Sequence, residues 1–229
     1  MPDQPSGSVM ADLDPDSLPL ASGIALGYCP VGQRAQLEAA LALDQRLSQL
    51  VAKTSEPMLG QLRLAWWRET LQQPVAKRPQ GDRVLDAIGQ SWGEDSAALI
   101  GMVDGWEHLL DPEPLGEAKA LAFAAGRGAA LVIACGCGEG TGGFAKALTA
   151  ARVWALADLA AGVSSPAERD LLVRLGLAAA ETRARLDPPA RPLAVLGALG
   201  ARALARGGRP LMEGRGAAIQ AAKAAILLR

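Results

Sequence analysis

Half of the chain's 229 residues are apolar and only 3% are aromatic, which suits one globular domain whose core is built mainly from small aliphatic side chains. A net charge of −1 and so few aromatics argue against a nucleic-acid binder. Three cysteines, Cys29, Cys135 and Cys137, are too few for a disulfide framework or a four-ligand zinc site, which favours a reducing, cytoplasmic setting. No basic start followed by an apolar core is present, and the longest apolar run, 118–137, is broken by Lys119 and Arg127, so neither secretion nor a membrane span is expected.

Residues 1–22 hold four prolines and the acids Asp3, Asp12, Asp14 and Asp16, with no Lys or Arg. This predicts a flexible acidic tail, followed by a folded domain over 23–229. Apolar residues at helical spacing predict helices over 33–53 and 56–72. At the start of the second, Ser55 suits a cap, Glu56 the positive helix end and Pro57 a first turn. Leu59, Leu62 and Trp66 form its apolar stripe, which predicts a central helix with Trp66 largely buried. Trp67 points about 100° away and lies four residues after Arg63, so an arginine stacked on its ring is expected.

Further helices are predicted over 83–92, 95–110, 116–134, 143–162, 166–186, 190–206 and 211–228, with Pro- and Gly-rich breaks between them and no strand. The 95–110 segment carries the only histidine. There Asp104, His108 and Asp111 fall on one side, with Glu107 adjacent, a pattern open to metal binding or acid/base work; the competing reading is a polar outer face ending at Pro112. Arg127, between Gly126 and Gly128, interrupts an otherwise apolar helix and needs a partner. The glycine run 136–143 lacks the Gly-Lys-Ser/Thr ending and the preceding strand of a phosphate loop. From Arg183 onward nine basic residues stand against Asp187 and Glu213. Such a bias reads either as a solvated arginine-rich face or as attraction to anionic surfaces, with Arg202, Arg206 and Arg209 carrying a peripheral membrane contact.

The string SEPMLGQLRLAWWRETL (55–71) resembles the corresponding helix of the squalene/phytoene synthase family. The likeness extends upstream through YCPVGQRAQLEAALALDQRLSQLV (28–51) and more loosely through FAAGRGAALVIA (123–134) and ARVWALADLAAG (151–162). It implies an all-α, single-domain helical bundle of the class I isoprenoid (terpenoid) synthase type. Active members join prenyl diphosphates, and the resemblance implies Mg²⁺ held between two Asp-rich helices: a diphosphate leaving group must be neutralised, and carboxylates four residues apart share one helix face.

Laid without gaps on the first motif, Ser48, Gln49, Leu50, Val51 and Ala52 fall where active enzymes carry Asp, Glu, Leu, Val and Asp. Both metal-binding positions, Ser48 and Ala52, are therefore degenerate, and Asp44 and Glu38 form no pair on a common face. In the second motif Asp158 is the only acid between Gly140 and Ala167, with Trp154 and Gly162 four residues to either side. The likeness implies Arg63, Trp67, Arg68 and Arg127 as ligand-binding candidates; for Arg127 a structural ion pair is favoured over an anionic ligand. The expectation is a non-catalytic binding or assembly protein, similar to bacterial and mitochondrial relatives implicated in complex I assembly. It would need no cofactor or metal, would meet a protein client or a prenyl or lipid ligand, and would be cytoplasmic or peripheral to the inner membrane. Two alternatives remain. One is a prenyl transferase with a rearranged Mg²⁺ site drawn from Asp44, Asp158 and the group Asp104, Glu107 and His108; the other is a peripheral anionic-lipid-binding protein.

Overall fold

The computed structural model describes residues 17–138 and 140–229, and among these it contains ten α-helices and no strand. In chain order they are α1 (Leu20–Gly27), α2 (Val31–Ala52), α3 (Pro57–Gln72), α4 (Arg83–Ser91), α5 (Ile100–Glu107), α6 (Glu117–Ala134), α7 (Gly142–Gly162), α8 (Pro166–Glu181), α9 (Arg191–Ala205) and α10 (Gly216–Leu227). Short 3-10 turns occupy Val75–Lys77, Gly93–Leu99, His108–Leu110 and Pro188–Ala190. The fold class is all-α, as the periodicity predicts.

Several starts follow local chemistry. Asp82 caps α4, its carboxylate accepting from the Val84 and Leu85 N–H groups at 3.0 Å each. Thr141 caps α7 through the Phe144 N–H, and Ser165 caps α8, where Pro166 fills the first turn. At α3 the cap position is Glu56, without a side-chain bond, and Pro57 follows it; Ser55 does not cap.

Four boundaries depart from expectation, one of them the end of α8, which stops at Glu181 rather than at 186. Helix α1 begins inside the expected tail, and its Ala21, Ser22, Ala25 and Leu26 are buried. Residues 1–16 of that segment lie outside the described residues. The 95–110 segment is α-helical only over α5, with 3-10 turns on both sides. Helix α10 begins later than 211, after a turn in which Gly214 takes a φ of 80°.

Helix α7 is the centre of the packing, with α6, α8 and α9 against it; α9 in turn is covered by α1 and α10. On the other side α6 meets α5 and α2, and α5 carries α3. The crossings are close because small residues sit at them. A Cβ on Gly126 of α6 would lie 2.0 Å from the Gly101 carbonyl oxygen of α5, and one on Gly200 of α9 would lie 2.9 Å from the Trp154 Cα of α7.

The face of α3 is a correction. Gly60, Leu64, Trp67 and Leu71 turn inward, whereas Leu59, Leu62 and Trp66 are exposed; Trp66 is 41% accessible and Trp67 only 4%. Gly60 gives the reason: a Cβ there would be 2.7 Å from Leu110, so this side alone approaches the neighbouring turn closely. Trp66 stands edge-on to Trp67, with ring centroids 5.1 Å apart.

Candidate functional site

Three helices bring one polar cluster into the apolar interior. Arg127 of α6 is 3% exposed. Its Nε donates to Asp44 Oδ1 of α2 and its Nη2 to Asp44 Oδ2, both at 2.7 Å, a bidentate pairing. Nη2 also donates to Asp158 Oδ2 of α7 at 2.7 Å. Trp106 of α5 completes the coordination of Asp44, its indole N–H donating to Oδ1 at 2.9 Å.

Aromatic rings enclose the guanidinium. Its central carbon lies 4.0 Å from the Trp154 ring centroid, 5.1 Å from that of Trp106 and 5.5 Å from that of Phe123. Nη1 is buried without a hydrogen-bond partner among the described residues, and the electron-rich ring faces supply the attraction it lacks. Burial works against the charged arginine, but Asp44 and then Asp158 outweigh it, so the guanidinium is held above its ordinary pKa and stays protonated.

The flanking glycines explain how a cation this large is enclosed. Gly126 lets α5 approach on one side, and on the other a Cβ on Gly128 would lie 3.2 Å from Ala151 of α7. The cluster carries two carboxylates for one cation, and the surplus sits toward solvent: the Asp158 side chain is 40% accessible, that of Asp44 only 7%.

Phe123 and Trp154, which stand over the guanidinium, are themselves buried, as are Leu47 of α2 and Met102 of α5. Shallow grooves lie elsewhere, one of about 410 Å³ between α2 and α4 and one of about 430 Å³ beside Val75–Gln90. A Mg²⁺ ion shared by carboxylates does not fit the residues here. Asp44 and Asp158 both already hold Arg127, Ser48 is half-buried and Ala52 is exposed. Among the described residues no group of three His, Cys, Asp or Glu side chains is placed to hold a metal ion.

The other sequence candidates are dispersed. Arg68 reaches α5, where its Nε donates to Asp104 Oδ1 at 2.8 Å and its Nη2 to Glu107 Oε2 at 2.5 Å. Burial opposes its charge, but these two acids more than compensate and raise its pKa. His108 opens a 3-10 turn and is exposed, and Asp111 pairs instead with Lys119 at 2.7 Å, so Asp104, His108 and Asp111 do not converge. Arg63 is exposed, whereas Trp67 lies in the core; Arg127 instead stacks on an aromatic ring, that of Trp154.

Cys29 and Cys135 are buried and Cys137 half-buried, all unpaired, and burial raises each thiol's pKa. Arg202 and Arg206 each donate to the Glu213 carbonyl at 2.9 Å, and Arg206 also faces the Glu213 carboxylate, so both brace the turn before α10. Trp106, Phe123 and Trp154 are the site residues that sequence reasoning missed. Trp154 stands four residues before Asp158, on the same helix face, and that spacing was the available signal. In comparisons with family models, curated proteins and solved structures, the chain matches none.

Proposed function

We propose that this chain is a squalene/phytoene synthase-like helical protein of the isoprenoid synthase type that has given up diphosphate chemistry and acts by binding, in an assembly role toward a protein client. One observation supports the reading: Asp44, one turn before Ser48, and Asp158, the lone acid of the second motif stretch, both engage Arg127 and so are held by a fixed guanidinium. An arginine in that place engages both carboxylates, so no pair of them is free to share a metal ion with a diphosphate.

A second feature supports binding. Helix α3 exposes Met58, Leu59, Leu62 and Trp66 along one side, bordered by Lys53, Glu56, Arg63 and Glu69. An apolar stripe centred on a tryptophan, with charges of both signs at its rim, has the composition of a protein-binding patch.

The test is direct. The purified protein incubated with farnesyl or geranylgeranyl diphosphate and Mg²⁺ is expected to release no pyrophosphate above a protein-free control. Release that chelation abolishes would overturn the reading.

A further inference from the structure

Helix α10 is apolar on both faces. Its inner side, formed by Ala217, Ala221, Ala224 and Ala225, is buried, and the helix packs on α9. Its outer side is centred on Ile219 and Ile226, which are 60% and 77% exposed, with Leu227 also exposed. At 100° per residue Ile219, Lys223 and Ile226 fall within about 60° of one another, opposite the alanines. A surface helix ordinarily turns polar side chains outward there, whereas on α10 Lys223 is the one polar residue among these three.

The charges beside this ridge are mainly positive, with Asp187, next to Leu186, the exposed acid nearby. Arg215, Lys223 and Arg229 are exposed on or next to α10, and the helix itself contains no acid. Arg185, also exposed, adjoins Leu186, whose N–H donates to the Leu228 carbonyl at 2.7 Å, which brings a further cation to the helix end. Behind it Arg183 has its charge disfavoured, first by burial and then by Arg229, so cations crowd this end of the molecule. The rim of α3, by contrast, is of mixed sign.

Branched aliphatic side chains flanked mainly by cations complement a surface that is apolar within and anionic at its edge. We propose that α10 lies flat on a bilayer rich in anionic phospholipid. Ile219, Ile226 and Leu227 enter the boundary between headgroups and acyl chains, and Arg215, Lys223 and Arg229 reach the phosphates. The helix lies on the membrane and does not span it: among the described residues no helix is long and apolar enough to cross. The locus differs from Arg202 and Arg206, which hold the preceding turn. This inference goes beyond the assembly reading and does not rest on it.

Co-sedimentation of the full chain with vesicles of phosphatidylcholine, and of phosphatidylcholine mixed with phosphatidylglycerol, tests it. Binding is expected only to the mixed vesicles, weaker at physiological than at low salt. Lys223→Ala should weaken it about fivefold, and Ile219→Ser with Ile226→Ser at least about tenfold, with unchanged thermal unfolding because these side chains point outward. Leu62→Ser with Trp66→Ser on α3 should leave vesicle binding intact. Failure to bind mixed vesicles, equal binding to both kinds, or full binding by the double isoleucine variant would overturn the proposal. So would self-association that Ile226→Ser abolishes in a chain that ignores vesicles, an outcome that would assign the face to a second copy.

Discussion

Replacing Asp44 with Ala is the most informative perturbation of the buried cluster. The side chain contributes both oxygens to Arg127 and accepts the Trp106 N–H, all within 2.9 Å and away from water. Its removal leaves a guanidinium buried with one acid instead of two and orphans an indole donor. Breaking a buried pair from one side costs about 3–5 kcal/mol. At roughly 2–4 °C per kcal/mol for a chain of this size, the melting temperature should fall by about 10 °C. Asp158→Ala removes a carboxylate that is already partly solvated, so its cost should stay near 1 kcal/mol or below. Replacing Asp44 by Leu and Arg127 by Met together removes both buried charges and should recover most of the loss, because well-packed apolar residues often substitute for such a pair at about no cost. Urea and thermal unfolding followed by circular dichroism measure all four proteins. A loss below about 1 kcal/mol for Asp44→Ala, or a double variant as damaged as the sum of its parts, would refute the argument that the pair is desolvated.

Other expectations follow from packing and charge. Trp67→Ala should cost about 3–5 kcal/mol and Trp66→Ala less than about 1 kcal/mol, since only the first ring is in the core; reversed values in urea titrations would mean that the other face of α3 is buried. Gly126→Ala drives a methyl into a backbone oxygen 2.0 Å away, so α5 and α6 must separate, at a cost of about 1–3 kcal/mol in the same assay; unaltered stability would show that the crossing is loose. Burial tends to raise the Asp82 carboxyl, but the Leu85 N–H, Arg46 and the Val84 N–H outweigh it and hold the pKa below the usual carboxylate value. The contribution of this charge is thus complete above the unfolded pKa near 4 and is lost as pH falls through the lower folded value. Asp82→Asn keeps a capping oxygen without the charge, so its stability gap from the wild type should close in acid; a gap constant across the acid range would contradict the ion pair with Arg46.

The helices themselves were largely readable, because apolar periodicity and the breakers Pro57, Pro166 and Gly207 act locally. Helix α1 escaped because it is short, contains Gly23 and Gly27 and is held by burial rather than propensity. The choice of face on α3 could not be read. Leu59, Leu62 and Trp66 make a stripe as hydrophobic as Leu64, Trp67 and Leu71, and what selects the second is the close approach that Gly60 allows beside Leu110 together with the grip of Asp104 and Glu107 on Arg68. Likewise Arg127 declared itself as a charge between two glycines in an apolar helix, yet its partners did not. Nothing local distinguishes Asp44, which is buried, from Glu38, which is exposed one and a half turns earlier.

The three members of the cluster are far apart in the chain: 83 residues separate Asp44 from Arg127, and 31 more lead to Asp158. During folding, α6 packed against its tryptophans without α2 would hold the Arg127 guanidinium with only the partly solvated Asp158, a state several kcal/mol above the native one, whereas α2 and α6 together already form a matched pair. Glycines on both sides of Arg127 also make α6 a poor helix on its own, by about 1 kcal/mol each relative to Ala. Bundles that lack α2 are thereby penalised, and α2 and α6 gain most by closing together. The arginine thus favours arrangements in which α2 is already docked on α6, a contact between segments distant in sequence and so slow to form.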